Sequence, residues 1–424
     1  MIKAPKGTKD ILPKEVKKWQ FIEAKAKETA KKFNVSEIRT PMFEYTELFK
    51  RGVGDDTDIV NKEMYTFNDK AKRSITLKPE GTASVVRSFI ENGFSSEPKP
   101  LKLYYISPLF RYEKPQKGRF RQHNQFGVEY FGSDIEKADA EIITLADDFL
   151  KNIGLENYKF KINTLGDEKD REHFSKELKK YFSNYYDQLC DNCKKRLKTN
   201  PLRILDCKID NKKDFFDKAP VINDFISDKS SMYFNSILKN LDYNNVNYEV
   251  DPSLVRGLDY YTETVFEIVE TNSNDYSSVL GGGGRYNRLV ESLGGNSTPA
   301  IGFGIGIERV LLSLDNKINK YSQNSNCDIY ILPFSEKSNK VVQNLASNLR
   351  KLNLSVEIDL MNRSMKSQLK YANKLNVKYV LFVGEEEVKN KNVKVKNMSK
   401  GKEEIVNLQQ VPEYISKELK NENQ

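Results

Sequence analysis

The sequence predicts an α+β fold: an antiparallel-sheet core, interrupted by a helical insertion and followed by a smaller α/β domain. Period-two alternation runs through residues 101–132 and returns over 254–304, as in half-buried strands. Residues 167–248 between them are rich in Lys and Asn and poor in strand-like runs, so charged helices are expected there. The last hundred residues repeat strand–helix units and end in a hairpin and a helix. These changes of pattern divide the chain into 1–166, 167–250, 251–324 and 325–424. The polar stretch 315–326 lacks a hydrophobic period and marks the last boundary.

Composition narrows the class. At 424 residues the chain exceeds one usual domain, and 38% hydrophobic with 30% charged residues fits a globular protein with an adequate core. No run approaches a membrane span and the start has no signal-peptide core, so a cytoplasmic location without membrane contact is expected. The net charge of +9 fits either a solvated basic surface or a polyanionic partner. Residues 325–424 hold 17 Lys and Arg against 12 Asp and Glu, which concentrates the excess there and favours a nucleic-acid module. Cys190 and Cys193 form a CxxC, and Cys207 lies fourteen residues beyond. Zinc would need a fourth ligand, and His173 is a poor one, so structural thiols and no metal site are expected.

The elements follow in order. Val16, Trp19, Ile22, Ala26, Ala30 and Phe33 give residues 13–34 one apolar helical face, with Pro13 in the first turn. The strand-like VSEIRTPMFEYTELF is broken by Pro41, which places it at a sheet edge or a bend and makes it a candidate dimer seam. MYTF and SITL read as a hairpin leading to Lys78-Pro79-Glu80-Gly81-Thr82. That loop is either a plain turn or one that aims Glu80 and Thr82, and the helix TASVVRSFIENG follows it to Gly93. One strand then runs to Arg111, a basic loop with Lys114, Lys117, Arg119 and Arg121 follows, and a second strand begins near Gln125. On that strand Gln125, Gly127 and Glu129 share one face, and Phe126, Val128 and Tyr130 the other. In 254–270, Tyr260 and Tyr261 alternate to opposite sides, after Arg256 in a turn. Four consecutive glycines at 281–284 read as a loop that permits close approach, and they match neither phosphate-binding glycine motif. Ala300–Gly304 is a buried strand with glycines at 302, 304 and 306 that leave a flat slot, followed by a helix carrying Glu308 and Arg309.

Taken in order, these pieces resemble a known family. The proline-bearing strand, the FRYE strand pair and GFGIGIER are similar to the three motifs of class II aminoacyl-tRNA synthetases. KGTKDILP, LVRGLDYYTETVFE and VLGGGGRYNRLVESLGG resemble the histidyl-tRNA synthetases in particular, and the resemblance runs the length of the chain. It implies a class II antiparallel catalytic core, an anticodon-binding domain at the end, and a homodimer with Pro41 at its interface. The implied partners are L-histidine, ATP with Mg2+, and tRNA-His. The implied catalytic residues are Arg111 and Arg256 at the α-phosphate and Arg309 at the far end of the triphosphate. Arg119 and Arg121 would address ATP or the tRNA acceptor end, and His123 would stack on adenine. Glu80, Gly81, Thr82 and Gln125 would hold the amino end of histidine, Glu129 and Tyr261 its ring, and Tyr260 would line the pocket. His123-Asn124, Lys78 and Lys114 depart from the frequent family pattern. The nearest alternatives are a non-catalytic paralogue serving histidine biosynthesis and a tRNA-binding sensor; the retained arginines and C-terminal domain count against both.

Overall fold

The computed structural model describes residues 2–421 except 55–56, 58, 208, 257–259, 272–278, 315–316 and 319–326. The contacts divide the chain into two units, 1–322 and 323–424.

In the first unit, helix α1 (Pro13–Lys32) buries Trp19, Ile22, Ala26 and Ala30 at helical spacing. Strand β1 (Ser36–Glu37) precedes Pro41, and β2 (Phe43–Tyr45) follows it. The expected strand stops there, because Thr46 opens helix α2 (Thr46–Val53). Strands β3 (Tyr65–Asn68) and β4 (Ser74–Leu77) pair as an antiparallel hairpin and, with β2, form a three-stranded sheet. Helix α3 (Thr82–Glu91) ends before Gly93, whose φ is 67°. Strands β5 (Leu101–Phe110) and β6 (Gln122–Phe131) pair antiparallel over ten residues, so His123 and Asn124 belong to the strand and not to the basic loop. Helix α4 (Glu136–Asn152), β7 (Tyr158–Thr164), α5 (Glu168–Ser183), α6 (Asp191–Thr199), α7 (Asp228–Tyr243) and β8 (Tyr248–Val250) follow. Then come β9 (Thr262–Glu270), β10 (Val279–Arg285), the short α8 (Leu289–Ser292), β11 (Ala300–Gly306) and α9 (Ile307–Leu314).

Eight of these strands form one sheet in the order β1-β5-β6-β11-β10-β9-β7-β8. Every pairing in it is antiparallel except β1 with β5 and β7 with β8. Alternation along β6 and β11 sends Phe126, Val128, Tyr130, Ile301, Phe303 and Ile305 into the main core beneath α1, α4 and α7. The opposite face carries Gln125, Glu129 and the glycines of β11, and it builds the site described below.

The glycine run is not a loop. Gly281–Gly284 lie inside β10, paired on one side to β9 and on the other to β11. Glycine has little strand propensity, which is why the sequence alone points elsewhere. The reason for it here is steric. A Cβ on Gly281 or Gly283 would strike the backbone of β11, and one on Gly282 or Gly284 the backbone of β9.

Buried charge also ties this sheet together. Arg285, at the end of β10, is fully buried and pairs with the equally buried Asp139 of α4. Its Nη1 donates to the Ser133 carbonyl at 2.7 Å, and the Tyr233 hydroxyl donates to Asp139 at 2.9 Å.

The second unit is a five-stranded sheet ordered β13-β12-β14-β15-β16, with β12 (Ile329–Pro333), β13 (Val356–Ile358), β14 (Tyr379–Val383), β15 (Asn392–Asn397) and β16 (Glu403–Asn407). The first three strands are parallel, while β15 and β16 form the antiparallel hairpin expected from NVKVKNMSKGKEEIVN. Helices α10 (Asn339–Lys351), α11 (Met365–Lys374), α12 (Glu385–Lys389) and α13 (Val411–Asn421) complete it. The boundary expected at 315–326 falls almost wholly outside the described residues. Among the described residues, no helix is long and apolar enough to cross a membrane.

Candidate active site

A cleft of about 450 Å³ opens on the glycine-bearing face of the large sheet. One end is lined by cations. Arg111, at the end of β5, is anchored by its Nε, which donates to the Pro79 carbonyl at 2.8 Å. Arg119 comes from the basic loop, and its Nη1 lies 3.4 Å from Glu113. Arg309 projects from α9 and donates to the Val279 carbonyl. Burial, then the neighbouring Arg119 and Arg111, pushes Arg309 down to about 10. His123 sits among these groups, and burial together with Arg111 and Arg309 pushes it down to about 3, so it is neutral. Crowded guanidiniums in a shielded cleft favour a polyanion, whose binding relieves their repulsion.

Arg256 stands on the opposite wall, paired with Glu267 of β9. Burial opposes its charge, but Glu267 together with Tyr261 and Tyr260 turns the net shift upward. Among the described residues its Nε–H is buried without a hydrogen-bond partner. A donor left in this state awaits an acceptor from a ligand.

The other end of the cleft is built for a small polar molecule. Glu129 of β6 is fully buried beneath it. Its carboxylate accepts from the Thr82 hydroxyl at 2.7 Å and from the Tyr286 hydroxyl at 2.5 Å. Burial pushes Glu129 up to about 8, against those two hydrogen bonds. Glu80 is buried too, and it accepts from the backbone amides of Thr82 and Ala83 at 3.0 and 2.7 Å. The PEGT loop therefore does more than turn: its acid caps α3 and still faces the cleft. Gln125 lies across Gly304 and accepts from the Tyr105 hydroxyl at 3.0 Å. Tyr260 and Tyr261 stack at a tilt, with ring centroids 4.7 Å apart, and Arg171 of the insertion donates to the Tyr261 carbonyl at 2.6 Å.

Residues 7–166 and 200–310 match the family model described as histidyl-tRNA synthetase. The chain belongs to the histidyl-tRNA synthetase family. Residues 328–418 match a second model, the anticodon binding domain. The chain is 48% identical to the histidine–tRNA ligase of Caldanaerobacter subterraneus subsp. tengcongensis, over 98% of this chain and 99% of that one. It is 47% identical, with the same coverage, to the histidine–tRNA ligase of Clostridium botulinum strain Langeland. Among solved structures, apo S. aureus histidyl-tRNA synthetase superimposes with a TM-score of 0.84 at 39% identity, covering 98% of this chain and 100% of that one.

Of the residues singled out by resemblance to histidyl-tRNA synthetases, most line this one cleft: Glu80, Thr82, Arg111, Arg119, His123, Gln125, Arg256, Tyr260, Tyr261 and Arg309. Three stand elsewhere. Gly81 lies against the Tyr105 ring, which occupies the space its Cβ would need. Glu129 forms the floor behind Thr82 and Tyr286 and does not line the cavity. Arg121 is stacked on Tyr112, its guanidinium carbon 3.8 Å from the ring centroid, and does not line the cleft. Tyr260 reaches the same pocket as Tyr261 because β9 begins only at Thr262, so strand alternation does not extend to it. Sequence reasoning missed Tyr105, Tyr286, Glu113 and Glu267. Tyr105 sits in an apolar run that reads as packing; Tyr286 follows the glycine run between Arg285 and Asn287, and no local pattern singles out Glu113 or Glu267. It also missed the role of Glu308, which clamps the Asn124 backbone amide at 2.9 Å and so fixes the start of β6 against α9.

Proposed function

We propose that this chain activates L-histidine with ATP and transfers it to the 3′ end of tRNA-His, as a histidine–tRNA ligase. The observation that carries this is the meeting, in one cleft, of Arg111, Arg256 and Arg309 with the pocket that Thr82, Gln125 and Tyr261 line, Thr82 being held from behind by Glu129. The histidine carboxylate is ionised at neutral pH, so its attack on the α-phosphorus needs no general base. The barrier falls through positioning and through neutralisation of charge on the phosphates. Arg111 and Arg256 would grip the α-phosphate from opposite walls, and the unpartnered Nε–H of Arg256 supplies a donor for it. Arg309 would take the far phosphates, with Arg119 beside it. Neutral His123 offers adenine a stacking face. The Glu113 and Glu267 carboxylates in the cleft wall are oxygen donors that would hold an ATP-bound Mg2+, which would offset the phosphate charge.

Histidine would place its ammonium near Glu80, Thr82 and Gln125 and its ring over Glu129, between Tyr261 and Tyr286. A buried carboxylate left without its N–H partner penalises apolar look-alikes. The C-terminal domain would read the anticodon. The three-stranded sheet exposes Met42, Phe43, Tyr45 and Phe67 around Pro41, and an apolar patch of this kind supports a homodimer. Aminoacyl-tRNA synthesis supports a cytoplasmic location.

Two results are expected. Purified protein will exchange labelled pyrophosphate into ATP only when histidine is present. Absence of exchange from folded protein at saturating histidine and ATP overturns the assignment. Gly302→Ala will raise the histidine KM by about 10²-fold, a consequence of displacing a binding group by roughly an ångström. The new Cβ lands on the Glu129 carboxylate. A histidine titration in the exchange assay checks it, with the ATP KM unchanged; an unaltered histidine KM removes Glu129 from recognition.

A further inference from the structure

The helical insertion gathers four metal-ligating side chains that the catalytic cleft does not use. Cys190 precedes α6, Cys193 lies in its first turn, Cys207 follows the 3₁₀ turn Pro201–Ile204, and Asp210 opens the next turn, Asp210–Lys212. Their donor atoms all lie within 4.8 Å of one another. The sequence alone supplied three thiols and no fourth ligand. The fold supplies it, because two short turns bring Asp210 back to the CxxC.

The geometry is that of a coordination sphere. The sulfurs of Cys190 and Cys207 are 3.7 Å apart. A disulfide needs about 2.0 Å. A tetrahedron with zinc–sulfur bonds of about 2.3 Å has an edge of about 3.8 Å. Backbone amides reach two of the sulfurs. The Asp210 amide donates to the Cys207 sulfur at 3.4 Å, and the Cys193 amide is directed at the Cys190 sulfur. Backbone N–H groups on ligand sulfurs are the outer shell that stabilises bound metal. Asp210 is itself oriented: the Cys190 amide donates to its Oδ2 at 3.0 Å, and Lys213 Nζ donates to its Oδ1 at 2.7 Å. Oδ2 keeps a lone pair for a metal.

Burial makes the case stronger. Cys193 and Asp210 have no exposed surface, and Cys207 is 5% exposed. The insertion has a core of its own around Phe174, Leu178, Phe182, Leu197, Ile204 and Phe215, and Cys193 and Cys207 belong to it. Segments of this size commonly need a staple.

We propose that Cys190, Cys193, Cys207 and Asp210 bind one structural Zn2+ that locks the insertion. Binding releases three thiol protons to solvent and leaves a Zn(S)₃O centre of charge −2, which Lys213 partly offsets. All four positions are filled by protein, so the site is closed and not catalytic. The same segment carries Arg203 and Asp206 to the cleft wall, so the metal would also hold that wall in place.

The test uses full-length protein purified without chelator. Elemental analysis is expected to find about one zinc per chain, as a closed four-ligand site requires. Metal-stripped protein given Co2+ is expected to develop the visible bands of tetrahedral thiolate-bound cobalt. Cys190→Ser, at the half-buried ligand, is expected to lose most of the zinc; Cys207→Ser serves as a second variant if it folds. The cobalt titration needs no variant, so misfolding cannot mask the answer. Protein without zinc that also fails to develop cobalt bands overturns the proposal in favour of plain buried thiols. Zinc retained undiminished in folded Cys190→Ser overturns it in favour of another location.

Discussion

Arg256→Ala is expected to lower histidine-dependent ATP–pyrophosphate exchange by about 10²–10³-fold, the usual cost of removing one preorganised donor to a charged transition state. Histidine binding, followed by equilibrium dialysis without ATP, is expected to survive. The separation follows from position. Arg256 faces Arg111, Arg119 and Arg309 across the cleft, while the hydrogen bonds around Glu129 and Gln125 come from Thr82, Tyr286 and Tyr105. Its Nε–H has no acceptor among the described residues, so in the folded chain it contributes little until a ligand oxygen arrives. Removing it also releases Glu267, which would then face the phosphates as an uncompensated anion. Arg256→Lys restores charge but not the planar fork, so only part of the rate should return. Exchange near the unsubstituted rate would eliminate this role.

Arg285→Ala is expected to destabilise the catalytic unit by about 3–5 kcal/mol, the range for breaking a buried ion pair by removing one partner. The pair has no exposed surface on either side. Deleting the guanidinium strands Asp139 and leaves the Ser133 carbonyl without its donor. The effect should reach the site through the backbone, because the next residue is Tyr286, whose hydroxyl holds Glu129. Urea denaturation measures the loss. An apolar double replacement, Arg285→Met with Asp139→Leu, should recover part of it, since Asp139 is then no longer stranded, while Glu263, 3.5 Å from Arg285, still loses its partner. A single-variant loss under about 1 kcal/mol would mean that water reaches the pair.

The sequence made the central strand pair legible because period two is a strong signal when one face is wholly apolar, as with Phe126, Val128 and Tyr130. The opposite face of β6 was legible too: a glycine between an amide and a carboxylate is hard to explain as packing. The arginines were legible through the family motifs that contain them. Other features were hidden for physical reasons. Tyr105 and Tyr286 look like core residues until their hydroxyls are placed against Gln125 and Glu129. Gly281–Gly284 carries no strand signal of its own, since its pairing depends on how closely β9 and β11 approach. Asp210 is separated from Cys193 by a helix and two turns, and no local period connects them. Arg121 shares the composition of its loop, but a tyrosine ring claims it.

The glycines of β10 and β11 change how this site should be counted. A Cβ on Gly302 would strike Glu129, on Gly304 Gln125, on Gly282 Arg256, and on Gly284 Tyr261. Each functional side chain therefore lies flat across a neighbouring strand, in room left by a particular glycine. In genetic terms, each is a unit of two codons far apart in the gene. For these four side chains the target for inactivating mutation is twice what the chemistry suggests, and half of it carries no functional group. A loss-of-function substitution at Gly302 or Gly304 would look like damage to a strand while displacing the residue that rests upon it.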